Sequence, residues 1–260
     1  MTWIKICGTT SLEDAKLAVS AGADAVGFVF YEKSKRAVDP KLVRQIVAEL
    51  PRETEKIGVF VNAGADRIQT VVKDAGLTGV QLHGSETAEF ARSLFHALGG
   101  TVEVIRVVPV NEVPPGRELA YGFDPVSAGI LSAEEAETIA SEVRDAAIDS
   151  GLPPATAAEM RADVVQRVLL DSGSPGEGGT GRPFDWNAYK TFADAISSFT
   201  NVIIAGGLTP TNVADAIRVL RPWGVDVVSG IEKEPGKKDP EKLRAFVKAV
   251  REAERRSNGQ

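Results

Sequence analysis

Short apolar or β-branched runs alternate with helical stretches along almost the whole of this chain, and that alternation constrains its fold more than any other feature. The runs fall near 3–7, 24–30, 56–61, 78–82, 102–108, 166–171, 201–205 and 225–229. A helical pattern lies between each pair and after the last, so the sequence contains eight βα units. A strand that must be followed by a parallel strand needs a crossover, and a helix is the usual one. Eight such units predict an α/β fold, a (β/α)8 TIM barrel, although periodicity alone does not report closure and a large open doubly wound sheet is the alternative. The length of 260 residues suits one barrel, so residues 1–260 are expected to form a single domain.

Helix starts reinforce this frame. Ser11 with Asp14, Asp39-Pro40, Thr209-Pro210 and Asp239-Pro240 each place a capping side chain before a first turn. The helix expected from Thr209 carries Val213, Ala216, Ile217 and Leu220 on one stripe, and the last helix carries Leu243, Phe246, Val247 and Val250. Arg251 to Gln260 is charged and then polar, and its end is expected to fray. The connection between the fifth and sixth strands, residues 109–165, is longer than one crossover requires and reads as an insertion within the barrel. In it, Ser132-Ala133-Glu134-Glu135 is a capping box that opens a helix to about Ile148. Residues 109–131 would then enlarge a loop on the catalytic face, and 150–163, with Pro153-Pro154, would lie on the opposite face.

The formal net charge of −6 and the lack of a basic, aromatic-interleaved run argue against nucleic acid as a partner. No segment reaches 18 apolar residues, so no membrane span is expected. The single cysteine cannot form an intramolecular disulfide, and the N-terminal residues lack a basic n-region with an apolar stretch, which points to a cytoplasmic protein.

Function in a barrel collects at the C-terminal ends of the strands and in the loops after them. The first strand ends in Cys7, the only cysteine of the chain. Lys5 shares its face by the two-residue period, and a nearby ammonium favours a thiolate. Cys7 is therefore either a catalytic group or a small buried hydrophobe. Asp171 closes the sixth strand as a mouth acid or a loop cap, and the glycine-rich stretch from Ser172 to Gly181 reads as a loop able to close over a site. Gln81 and His83 share one face of the fourth strand, with a structural and a catalytic reading both open for His83. His96 reads as a surface residue. After strands seven and eight, Ala205-Gly206-Gly207-Leu208-Thr209-Pro210 and Ser229-Gly230-Ile231-Glu232 can present backbone N–H groups to a phosphate, and the last two loops of a barrel are the usual place for one. Gly206, Gly207, Ser229 and Gly230 are the expected phosphate binders. One cysteine and two isolated histidines make no metal-ligand spacing, so no metal is expected. Hydrolase and dinucleotide motifs are absent.

Taken together, these residues resemble the phosphoribosylanthranilate isomerase family of tryptophan biosynthesis. The resemblance rests on Lys5-Ile6-Cys7-Gly8, Gly27-Phe28-Val29-Phe30 with Lys33-Ser34 and Arg36, Val80-Gln81-Leu82-His83-Gly84, Leu170-Asp171 with Gly178-Gly179-Thr180-Gly181, Ala205-Gly206-Gly207-Leu208 and Ser229-Gly230-Ile231-Glu232. All six stand in the family's order. The resemblance implies an isomerase that interconverts aldose and ketose, by Amadori rearrangement of N-(5-phosphoribosyl)anthranilate to 1-(2-carboxyphenylamino)-1-deoxyribulose 5-phosphate, with no cofactor. It implies Cys7 as general base, Asp171 as general acid and Arg36 on the anthranilate carboxylate, with Lys5, Gln81, His83 and Gly179 as further active-site candidates. Lys5 would help hold Cys7 as thiolate. A small phosphorylated substrate and a monomer or homodimer are expected. The sequence departs from the family's pattern at Glu32-Lys33-Ser34-Lys35-Arg36, where prolines often flank the Lys-Ser pair, and at Val228, where serine is common. Two other readings are a histidine-pathway sugar isomerase, which would have an aspartate where Cys7 stands, and a non-catalytic phosphate-binding barrel.

Overall fold

The computed structural model describes residues 1–110, 167–173, 183–197 and 200–258. Eight parallel strands close into a barrel: β1 (Trp3–Ile6), β2 (Ala25–Val29), β3 (Glu55–Phe60), β4 (Gly79–Leu82), β5 (Glu103–Pro109), β6 (Arg167–Asp171), β7 (Asn201–Ile204) and β8 (Gly224–Val227). Closure is made by β1 pairing with β8, in a register that sets Lys5 opposite Asp226. The expected barrel is therefore present, and the open sheet is excluded. The long connection at 109–165 falls, after Val110, outside the described residues.

Helices α1 (Leu12–Ala21), α2 (Pro40–Ala48), α3 (Ala65–Ala75), α4 (Ala88–Ala97), α5 (Lys190–Ile196), α6 (Val213–Leu220) and α7 (Pro240–Asn258) pack around it. The expected caps form at Ser11, whose hydroxyl accepts from Asp14 N, and at Asp39, whose carboxylate accepts from Lys41 N. Asp239 caps α7 by accepting from the amides of Glu241 and Lys242. One expectation needs correction. Helix α6 begins at Val213 and not at Thr209, because Asn212 folds its amide back: its Oδ1 accepts from Thr209 N at 2.8 Å and its Nδ2 donates to Gly207 O at 3.0 Å. The last helix runs to Asn258, and the end of the tail beyond it, where fraying is expected, lies outside the described residues. Arg251 fastens the helix by donating to Thr2 O at 2.6 Å and pairing with Asp24 at 3.2 Å, contacts more than 200 residues apart in sequence.

Two apolar layers follow from the period-two alternation of the strands. Outward residues such as Ile4, Ile6, Val26, Phe28, Leu170 and Ile204 meet the helices, including the buried Leu243, Phe246 and Val250 of α7. Inward residues Trp3, Ala25, Ile57, Ile105, Leu169 and Ile203 fill the barrel interior. Burying one such Leu, Ile or Phe side chain contributes about 1.5–3 kcal/mol. After β8 a 3-10 turn (Ser229–Ile231) leads into a hairpin, β9 (Glu232–Glu234) and β10 (Lys237–Lys238), before α7. The sequence did not announce that hairpin.

Candidate active site

The C-terminal ends of the strands surround a cavity of about 290 Å3 whose lining includes Cys7, Arg36, Gln81, His83, Asp171 and Asp226. Gly206, Gly207 and Ser229 form part of its rim. Residues from five strand ends and the loop after β2 thus converge on one space.

The thiol side is built on β1. Cys7 continues the barrel ladder, its N–H donating to Val227 O at 3.0 Å, and its side chain is buried. Gly27 on β2 makes room for it, since a Cβ there would stand 2.6 Å from the sulfur. Lys5, one layer deeper, is fully buried and paired to Asp226 Oδ1 at 3.0 Å. Burial works against its charge, but Asp226 and Cys7 together hold the ammonium above its ordinary range. Burial pushes the Cys7 thiol up as well, and the opposing pull of Lys5 is the smaller effect. This corrects the expectation that Lys5 holds the sulfur as thiolate. The ammonium is shared with Asp226, and desolvation of the sulfur prevails.

The acid side is built on β6 and β4. Asp171 is paired in register with Pro109, and its carboxylate is buried. Gly173 N donates to its Oδ1 at 3.0 Å, and His83 Nε2 lies 3.6 Å from its Oδ2. Gln81 Nε2 lies 2.8 Å from His83 Nδ1, which links Gln81, His83 and Asp171 in a row. Burial lowers the imidazole below its ordinary value, against the pull of Asp171, so the ring is neutral near pH 7. Gln81 Oε1 is buried without a hydrogen-bond partner among the described residues, a cost that a bound donor would relieve. Gly179 and the stretch 174–182 lie outside the described residues.

Arg36 reaches the mouth from the loop after β2. Its N–H donates to Ser34 Oγ at 3.1 Å, and the bridge of Ala37 to Val29 returns the loop to the sheet edge. Its guanidinium makes a fork with Glu232, Nε to Oε1 at 2.9 Å and Nη2 to Oε2 at 2.7 Å. Lys33 and Lys35 add exposed positive charge along the same rim.

The two glycine loops lie side by side. Gly206 has φ +81°, and a Cβ on it would stand 2.9 Å from Asp171 Oδ1, so only glycine both turns the chain and spares the carboxylate. A Cβ on Gly230 would stand 1.9 Å from Leu208 O, which is how closely the loops after β7 and β8 approach. The turn of the first loop is stabilised by the Asn212 amide.

The structure brings the expected residues Cys7, Arg36, Gln81, His83, Asp171, Gly206, Gly207 and Ser229 together around one mouth, with Lys5 one layer below it and Gly230 in the contact between its two loops. The sequence reading missed Asp226, Gly27, Lys238 and the role of Glu232. Asp226 carried a signal, a carboxylate in the middle of the apolar run Val225-Asp226-Val227, which predicts a buried partner. Lys238 carried none, since it stands among charged neighbours. Among the described residues, no group of three His, Cys, Asp or Glu side chains is placed to hold a metal ion, and no helix is long and apolar enough to cross a membrane.

The chain matches a family model described as N-(5'phosphoribosyl)anthranilate (PRA) isomerase over residues 4–114 and 131–249. A Thermotoga neapolitana relative named N-(5'-phosphoribosyl)anthranilate isomerase is 37% identical over 251 residues, covering 96% of this chain and 99% of that protein. The crystal structure of phosphoribosyl anthranilate isomerase from Thermotoga maritima matches with TM-score 0.68 and 36% identity, over 97% of this chain and 100% of that one. Another such structure, in complex with reduced 1-(o-carboxyphenylamino)-1-deoxyribulose 5-phosphate, matches with TM-score 0.65 and 34% identity, covering 97% and 100%.

Proposed function

This chain belongs to the N-(5'-phosphoribosyl)anthranilate isomerase family, and from that premise we propose that Cys7 is its general base, Asp171 its general acid and Arg36 its carboxylate binder. It is an isomerase of tryptophan biosynthesis. The observation that carries the assignment of roles is the convergence of a buried thiol, a buried carboxylate, a forked arginine and two glycine loops on one cavity.

The chemistry divides between the two sides of the mouth. The ribose ring opens when its ring oxygen gains a proton as the C1–O bond breaks, which leaves an iminium at C1. Asp171 supplies that proton. Its Oδ1 is occupied by the Gly173 amide, so Oδ2, on the His83 side, is the oxygen free to carry it. The C2–H next to the iminium is acidic, and Cys7 as thiolate takes it, giving an enolamine that tautomerises to the ketone once C1 is protonated. The base therefore has to be deprotonated in a site that favours its thiol form. The iminium resolves this: a cation formed beside the sulfur stabilises the thiolate when it is needed.

The remaining groups hold the substrate. The carboxylate of the anthranilate lies against Arg36, and the phosphate lies on the amides of the loops at Gly206, Gly207, Ser229 and Gly230, with Lys33 and Lys35 adding to the attraction. Gln81 Oε1 accepts from a hydroxyl or N–H of the bound sugar. These placements fit a small phosphorylated substrate taken from the cytoplasm by a monomer or homodimer. Residues 1–260 would work as a single barrel domain, with 109–165 as an enlarged connection inside it.

The test is turnover by the purified protein, followed by the loss of anthranilate-type fluorescence as the phosphoribosyl compound is consumed. Rapid loss is expected, with no comparable rate on the related histidine-pathway phosphoribosyl substrate. Phosphate affinity without turnover would instead support the non-catalytic barrel.

A further inference from the structure

The hairpin between β8 and α7 buries two opposite charges beside the mouth. Of its paired residues Glu232 and Lys238 are buried, whereas Lys233, Glu234 and Lys237 are exposed. Burying an ion costs several kcal/mol unless close partners replace its water. The Glu232 carboxylate has such partners on both oxygens. Oε1 accepts from Arg36 Nε at 2.9 Å, from Gly236 N at 3.2 Å and from Lys238 Nζ at 3.1 Å, and Oε2 accepts from Arg36 Nη2 at 2.7 Å. Lys238 Nζ also donates to the carbonyl of Cys7, so the same hairpin grips the backbone of the thiol residue.

A carboxylate so fully engaged has no acceptor capacity left for substrate, but it can fix another group. Arg36 uses one edge of its planar fork on Glu232, and among the described residues its Nη1 makes no hydrogen bond. Arg36 and Lys238 against Glu232 leave one positive charge beside the cavity. We infer that Glu232, anchored by Lys238 and Gly236, is a positioning residue that sets the plane of Arg36 and thereby the enzyme's selectivity for a substrate bearing a carboxylate. This rests on the reading of Arg36 as the carboxylate binder.

Charge and position make opposite predictions here, which allows a clean test. Removing the negative charge of Glu232 makes the mouth more positive, so charge alone would strengthen the preference for a carboxylate-bearing substrate. Loss of a fixed guanidinium plane would weaken it.

The measurement is the ratio of kcat/KM for N-(5-phosphoribosyl)anthranilate to that for the aniline glycosylamine of ribose 5-phosphate, which lacks only the carboxylate. A ratio of this kind is independent of the fraction of enzyme that is active, so partial misfolding cancels. Arg36→Met is expected to lower the ratio by about a hundredfold and Glu232→Gln by about tenfold, the range of one charge-assisted hydrogen-bond pair. The rate on the aniline compound should stay within about twofold in Glu232→Gln, since that substrate makes no demand on the fork. Glu232→Asp keeps the charge but is too short for the full fork, and should fall between wild type and Glu232→Gln; it also serves if Glu232→Gln does not fold. A wild-type or increased ratio in Glu232→Gln and Glu232→Asp, with Arg36→Met reduced, would overturn the positioning role and leave the Arg36 reading intact. A wild-type ratio in Arg36→Met would overturn both.

Discussion

The two ends of the barrel each set a half-buried arginine against carboxylates, and they do so for different ends. At the N-terminal face, Arg167 pairs with Glu55 through Nη1 at 2.6 Å and Nη2 at 3.2 Å. Its Nε lies 3.3 Å from Glu103, as an ion pair off the line of a hydrogen bond. Its planar group sits 5.0 Å from the centre of the Trp3 ring and 4.6 Å from that of Trp223, which are themselves stacked. That guanidinium is met on its edges by carboxylates and lies against a stacked pair of indoles, and it plugs the floor. At the C-terminal face, Arg36 is held, among the described residues, along one edge. A half-buried cation that is enclosed serves the fold, and one that is held but left open on one side serves a ligand.

Exchanging damage between the two ends should separate these roles. Asp171→Asn at the mouth is expected to lower kcat by about a thousandfold while the urea midpoint stays near wild type, because an amide cannot supply the proton. Arg167→Met at the floor is expected to do the reverse. Leaving Glu55 and Glu103 without their cation should cost about 2–4 kcal/mol, read as a lower urea midpoint, with turnover per folded molecule unchanged.

The dependence on pH sharpens the same contrast. Burial raises the Cys7 thiol above its ordinary range, so the thiolate is scarce at neutral pH and its fraction grows only as pH rises through that raised value. The kcat/KM of the free enzyme should therefore climb on the alkaline side beyond the ordinary thiol value of about 8.5. Lys5→Met removes a cation that draws the sulfur toward thiolate, the larger of the two such pulls with Lys238, and should move the rise further upward. The effect expected to be smallest is that of Asn212→Ala. It releases the Thr209 amide and the Gly207 carbonyl, and should raise KM several-fold through a looser phosphate loop, with kcat nearly unchanged.

Much of this was legible in the chain, and the boundary of legibility has a physical cause. Strands appeared because their apolar runs are local, and the order of strand ends placed Cys7, His83 and Asp171 at one face before any coordinates. Partners that decide ionisation were not local. Lys5 finds Asp226 221 positions away, so its pull on Cys7 read as undivided when it is shared. Thr209-Pro210 offered a plausible helix start, but the Asn212 side chain spends the first turn on a loop instead. Arg251 stands in a charged stretch that gave no sign of an anchor, whereas its partners at Thr2 and Asp24 lie at the other end of the chain. Each departure came from a polar side chain whose partner is remote in sequence or whose geometry a pattern cannot show.

The most direct test of the account is the fate of the hydrogen at ribose C2. With substrate deuterated at C2, wild-type enzyme and Cys7→Ala would be compared in single-turnover reactions, scoring release of the label. Wild type should release it with a primary isotope effect, and Cys7→Ala, folded and still binding product, should release it at least about a thousandfold more slowly. Release from Cys7→Ala at the wild-type rate would show that another group takes the proton and would contradict the role given to this thiol.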